Sequence, residues 1–264
     1  MDAAGFPVVI VHGAPDRSKN FAHVVHRLSD LAVTVYDRRG YGKSLEAGRA
    51  PDGSAIGGFD VHADDLIELL DGTPSVVCGQ SAGGAIAMLA ATKAPELFAA
   101  LGAWEPPMVP WDWWAGDEPM ERTRAWATSE DAFALGESMN RGILGDERWE
   151  QLRDSTKELL RAEGLAFRTD MIGQLEPYLE FDHLKVPFLV GCGTQSYDAR
   201  FVDANKRLAE RTCGELLVCE GASHYAHTNN PEAWVGFVRA TVALAHRSAG
   251  PTSAAVGSSS AVAL

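Results

Sequence analysis

The run Ser75-Val76-Val77-Cys78-Gly79-Gln80-Ser81-Ala82-Gly83 joins a short apolar stretch to the pattern Gly-x-Ser-x-Gly. The alanine-rich segment 84–94 follows and reads as a helix. Strand, G-x-S-x-G and helix together form a nucleophile elbow. A sharp strand-to-helix turn strains the central residue and crowds the positions two away, which must be small. In exchange the Ser81 hydroxyl stands in the open, with a helix N-terminus aimed at developing negative charge. The same five residues also occur as an ordinary glycine-rich turn, so the surroundings decide between the two readings.

Those surroundings alternate strand with helix. Apolar runs at 7–11, 33–36, 75–78, 101–104, 187–190 and 216–218 carry no polar alternation, as expected of strands buried on both faces of a parallel sheet. Helical spacing of apolar residues fills 21–31, 61–70 and 201–208. The expected fold is α/β: a mostly parallel, doubly wound sheet of about six strands with a helical cap insertion. Residues 1–105 and 181–247 make the core, and 106–180 make the cap, which holds five of the seven tryptophans. The Ser/Ala/Gly-rich end, 248–264, reads as a disordered tail.

Bulk properties narrow the function classes. A length of 264 residues suits one domain with a sizeable core. A net charge of −13 argues against nucleic acid and anionic membranes as partners. No long apolar run predicts a membrane span, and the N-terminus lacks the pattern of a secretory signal. Cys78, Cys192, Cys213 and Cys219 have no metal-ligand spacing and read as small residues of a reduced, cytoplasmic protein. No metal and no cofactor is expected: His23-x-x-His26 has no further ligands to join it, and no paired-glycine dinucleotide motif is present.

Ser81 needs a base. Glu220-Gly221-Ala222-Ser223-His224 follows the last expected strand, placing His224 on the same sheet edge as Ser81. A neutral imidazole there can take the Ser81 proton and return it to the leaving group. His227 competes on paper, but reads as a residue that lines the pocket or packs on the following helix. For the oxyanion, the main-chain N–H groups of Ala14, after the first strand, and Ala82 are the expected donors. His12 reads as a brace for the first loop.

From 7 to about 247 the chain resembles an α/β-hydrolase-fold protein. The resemblance rests on His12-Gly13, Asp37-Arg38-Arg39-Gly40-Tyr41-Gly42-Lys43-Ser44, the Ser81 elbow, Glu105-Pro106-Pro107 and Gly221-x-x-His224. It implies a serine hydrolase that cleaves a carboxylic ester, lactone or thioester through an acyl-enzyme. The same triad also serves C–C bond hydrolysis and cofactor-free perhydrolysis, and the fold serves non-catalytic ligand-binding proteins. Serine at 81 argues against the aspartate chemistry of epoxide hydrolases and dehalogenases.

Two departures from the family pattern stand out. The first strand starts within seven residues of Met1, so either the usual N-terminal hairpin is missing, which would leave 33–36 at or near an exposed sheet edge, or the start site is misassigned. A partner subunit could cover such an edge, and both monomer and homodimer stay open. The acid is also displaced. The usual aspartate after the strand 187–190 is absent, and the first carboxylate there is Asp198, well placed to cap the next helix. Glu105 closes the strand 101–104 instead and is favoured as the acid, with Asp198 as the alternative. A small hydrophobic acyl substrate is expected, in a pocket lined by His12, Gly13, Trp104, Trp111 and Trp114.

Overall fold

A computed structural model describes residues 5–114, 117–196 and 200–249. Asp198 and residues 250–264 of the expected tail lie outside the described residues, while Ser248, expected as the start of that tail, instead ends the last helix because the helical turns continue to it. The chain runs β1 (Val8–Val11), α1 (Ala22–Arg27), β2 (Val33–Val35), α2 (Phe59–Leu70), β3 (Ser75–Gln80), α3 (Ala82–Lys93) and β4 (Phe98–Trp104). Five helices follow: α4 (Asp117–Ala127), α5 (Ala132–Leu144), α6 (Asp146–Glu150), α7 (Asp154–Ala162) and α8 (Gly164–Ile172). The chain then returns through β5 (Phe188–Gly193), α9 (Arg200–Arg211), β6 (Glu215–Cys219), α10 (Ala226–Asn229) and α11 (Pro231–Ser248).

The six strands form one sheet in the order β2-β1-β3-β4-β5-β6, with every pairing parallel. This is the α/β architecture expected from the apolar runs. β1, β3 and β5 are buried along their whole length. The edge strands β2 and β6 are only partly buried, because each lacks a neighbour on one side.

Side-chain parity sorts the sheet into two cores. Val9, Val11, Val77, Leu101, Ala103 and Val190 pack with α2, α3 and α9 on one face. Val8, Ile10, Val76, Cys78, Ala100, Trp104 and Leu189 pack with α1 and α11 on the other. Helix α3 is buried almost all round, which explains its run of Ala and Gly without a polar face. Among the described residues, no helix is long and apolar enough to cross a membrane.

Candidate active site

The elbow forms where β3 stops. Ser81 sits at φ 53° and ψ −124°, a conformation sterically costly for a side chain, on the order of 1–3 kcal/mol. Its N–H donates to the Trp104 carbonyl at 2.8 Å, which ties the turn to the end of β4. The flanking glycines are steric requirements. A Cβ on Gly79 would fall on the Gly83 carbonyl, and one on Gly83 would fall on the Val11 carbonyl. Ala82 opens α3, where a backbone N–H has no acceptor within the helix.

Ser81, Ala82, Ala14, Glu105 and His224 line one cavity of about 110 Å³. The His224 Nδ1–H donates to Glu105 Oε2 at 2.8 Å. That bond fixes the ring with its proton on Nδ1 and leaves Nε2 as the basic nitrogen. The Glu105 carboxylate is buried and held from two further sides: Oε1 accepts the Gly193 N–H at 2.8 Å and the Ser196 hydroxyl. Glu105 itself bends out of β4 at φ 46°. Sequence reasoning missed Gly193 and Ser196, since neither a glycine nor a serine in a loop signals an acid's partner.

The loop carrying Ala14 is braced from below. His12 donates from Nδ1–H to the Gly13 carbonyl at 2.8 Å and accepts the Arg38 N–H on Nε2 at 2.9 Å. Burial first, and the Arg38 charge second, push the His12 pKa down to about 3, so the ring is neutral at pH 7. The Arg38 side chain donates to the carbonyls of His12 and Gly13 and to Asp170 on α8, the last at 2.8 Å. Tyr41 also donates to Asp170, at 2.6 Å. Burial disfavours charge on Asp170, but Arg38 and His62 outweigh it and hold the carboxyl below its usual range. This cluster joins the loop after β1 to α8, and no sequence motif announced Asp170.

A second tie links that loop to the histidine loop. Asp16 accepts the N–H of Arg17 and the Asn20 amide, and its other oxygen lies 2.8 Å from His227 Nε2. His227 is buried, stacks on Phe21 and meets Trp234 of the following helix α11 edge-on, without lining the Ser81 cavity. From the elbow, the Gln80 amide donates to the His224 carbonyl at 3.2 Å.

The pocket lining corrects several sequence expectations. Trp114 lines the cavity, but Trp104, Trp111, His12 and Gly13 do not. Trp104 shares parity with Ala100 and packs on Phe237 of α11, on the opposite face of the sheet. Trp111 packs edge-on against Tyr178 and beside Phe181. His12 and Gly13 are fully buried beneath the loop whose next residue, Ala14, reaches the cavity. The apolar wall comes instead from Trp114, Trp126, Phe167, Met171 and Phe201. Trp126 lies on α4 and Phe167 and Met171 on α8, whose packing no short motif predicts.

Residues 8–237 match the model of the alpha/beta hydrolase family, and the chain belongs to that family. It is 31% identical over 102 residues to lipase LipV of Mycobacterium tuberculosis, a match covering 38% of this chain and 36% of the lipase. The chain thus aligns with little more than a third of that relative's length. Its fold is similar to a thermophilic esterase from Thermogutta terrifontis, with a TM-score of 0.67 and 23% identity, covering 92% of this chain and 91% of the esterase. It is also similar to the enol-lactonase of Burkholderia xenovorans LB400, with a TM-score of 0.67 and 19% identity over 92% of this chain and 94% of that one. The chain has the fold of that family over nearly its whole length.

Proposed function

We propose that this α/β hydrolase is a serine esterase acting on a carboxylic ester, lactone or thioester with a small hydrophobic acyl group. The observation that carries the reading is the 2.8 Å bond between His224 and the buried Glu105, beside the Ser81 elbow. Ser81 Oγ attacks the carbonyl carbon as His224 Nε2 takes its proton. Charge moves onto the carbonyl oxygen, where the N–H groups of Ala82 and Ala14 stabilise it. Glu105 steadies the imidazolium that forms and keeps its own charge. The intermediate collapses, the bond to the leaving group breaks, and His224 returns the proton to that group. A water then repeats the sequence on the acyl-enzyme, releasing the acid and restoring Ser81.

Apolar lining around Ser81 supports a hydrophobic acyl group, and the four unpaired cysteines support a reducing, cytoplasmic setting. The test is covalent labelling. A fluorophosphonate probe is expected to modify the wild-type protein at Ser81, and Ser81→Ala is expected to abolish the label. A folded wild-type protein that stays unlabelled would refute the proposal.

A further inference from the structure

The cavity over Ser81, at about 110 Å³, is small for a whole substrate. Sites for whole small-molecule ligands usually run to roughly 300–1,000 Å³. A second cavity of about 430 Å³ lies next to the first. The two share Tyr225 as a lining residue. They also divide consecutive residues between them. Ala14 faces the Ser81 cavity while Pro15 and Asp16 face the other, and on α5 Met139 faces the first while Asn140 faces the second.

Chemistry indicates which half of a substrate belongs on that side. His224 must hand a proton to the departing group, so that group lies beside its ring. The Tyr225 ring stands edge-on to His224 at 5.1 Å between centroids, so the space past Tyr225 is on the leaving-group side. Both linings are more apolar than polar, the second through Ile143, Leu152 and Leu160, but the second adds the amide and hydroxyl groups of Asn20, Asn140 and Thr156.

We propose that the second cavity is the leaving-group compartment of this site, that it takes a polyhydroxylated alcohol esterified by a short acyl group, and that Tyr225 is the gate between the two spaces. The proposal rests on the serine-esterase reading above. Tyr225 is half-buried and borders both cavities, so rotation of one side chain joins them. The acyl group then sits among Trp114, Phe167 and Phe201, and the alcohol's hydroxyls meet the amide and hydroxyl side chains beyond the gate.

The test compares glucose monoacetate with ethyl acetate on the wild-type enzyme, on Tyr225→Ala, and on Ile143→Trp. Ile143 lines the second cavity, is 37% exposed, and lies away from Ser81, so tryptophan there fills the compartment without disturbing the core. Ile143→Trp is expected to lower kcat/KM for glucose monoacetate about ten-fold or more and to leave ethyl acetate unchanged. Tyr225→Ala is expected to move the ratio the opposite way. Equal effects of Ile143→Trp on both esters would overturn the proposal.

Binding needs no turnover and separates this idea from the esterase reading. Glucose monoacetate should raise the melting temperature of Ser81→Ala protein, and adding Ile143→Trp should remove that rise. A rise that survives the second substitution overturns the compartment, whether or not the wild type proves to be an esterase.

Discussion

Glu105→Gln is the sharpest probe of the site. Two donors, the Gly193 N–H and the Ser196 hydroxyl, already converge on Oε1, so a glutamine must place its amide oxygen there. Its NH₂ group then faces the imidazole nitrogen that now donates to Oε2 at 2.8 Å. Two donors cannot bond to each other, so the ring is driven to the tautomer with its proton on Nε2. In that form His224 cannot accept the Ser81 proton. The corresponding change of acid to amide in a serine-protease triad lowers kcat about 10⁴-fold through the wrong tautomer. A loss of about 10³- to 10⁴-fold is expected here, on the order of 4–5.5 kcal/mol in the barrier. KM should change little, because Glu105 acts through His224.

Folding should suffer far less, since glutamine keeps the shape and both bonds at Oε1, and a lost charge-assisted bond is worth about 1.5–3 kcal/mol. Glu105→Ala would be a poorer probe, because it strands the buried Gly193 N–H. The assay is steady-state hydrolysis of p-nitrophenyl acetate, with circular dichroism to confirm the fold. Asp198→Asn serves as the parallel variant. If Glu105→Gln keeps kcat within about ten-fold of wild type while Asp198→Asn loses it, the tautomer reasoning and the choice of acid both fail.

Three further outcomes concern the frame around the site. His12 has a folded pKa lowered to about 3 from 6.5, so the unfolded chain binds a proton that the native one refuses. Its stabilising contribution is therefore full above pH 6.5 and is lost as pH falls from there toward 3; melting temperature against pH should be flatter for His12→Gln, and parallel curves would refute this. Gly83→Ala should abolish soluble folded protein, because its Cβ overlaps the backbone of Val11 and His12, whereas Gly236→Ala, in open space within α11, should raise stability by about 1 kcal/mol in thermal melts. Asp170→Asn leaves Arg38 buried without its counter-charge and should cost about 3–5 kcal/mol in urea unfolding, a loss too large for a surface pair.

The sheet was legible because both of its faces are covered. Burial on two sides removes polar alternation, so β1, β3, β4 and β5 stand out as apolar runs bounded by Gly, Pro or Asp. Ser81 and His224 were legible because each follows such a run, and every strand of a parallel sheet delivers its C-terminal loop to the same edge. The pocket wall was not. Trp104 lies next to Glu105 in sequence, yet adjacent strand residues face opposite sides, and it shares the α11 face with Ala100. Counting parity from the buried core residues could have removed it from the pocket. Trp126, Phe167 and Met171 carry no comparable signal, since helix-on-helix packing among α4, α5 and α8 decides which of them reach the cavity.

The contact between Glu105 and His224 follows from the same topology. β4 and β5 are neighbours in register, with Trp104 opposite Gly191, so the first residue past β4 sits beside the loop that leaves β5. Adjacent strands are about 4.8 Å apart, a span that one side chain can cross. Glu105 turns out of β4 at positive φ, and its carboxylate is gripped by Gly193 and Ser196, both from the end of β5 or the loop beyond it. A carboxylate rooted on β4 is thereby held by the residues that follow β5. The reach also requires a small residue at the end of β5. A Cβ at Gly193 would overlap the Ala222 carbonyl, in the loop that leads to His224, so any side chain there would push the histidine away from Glu105.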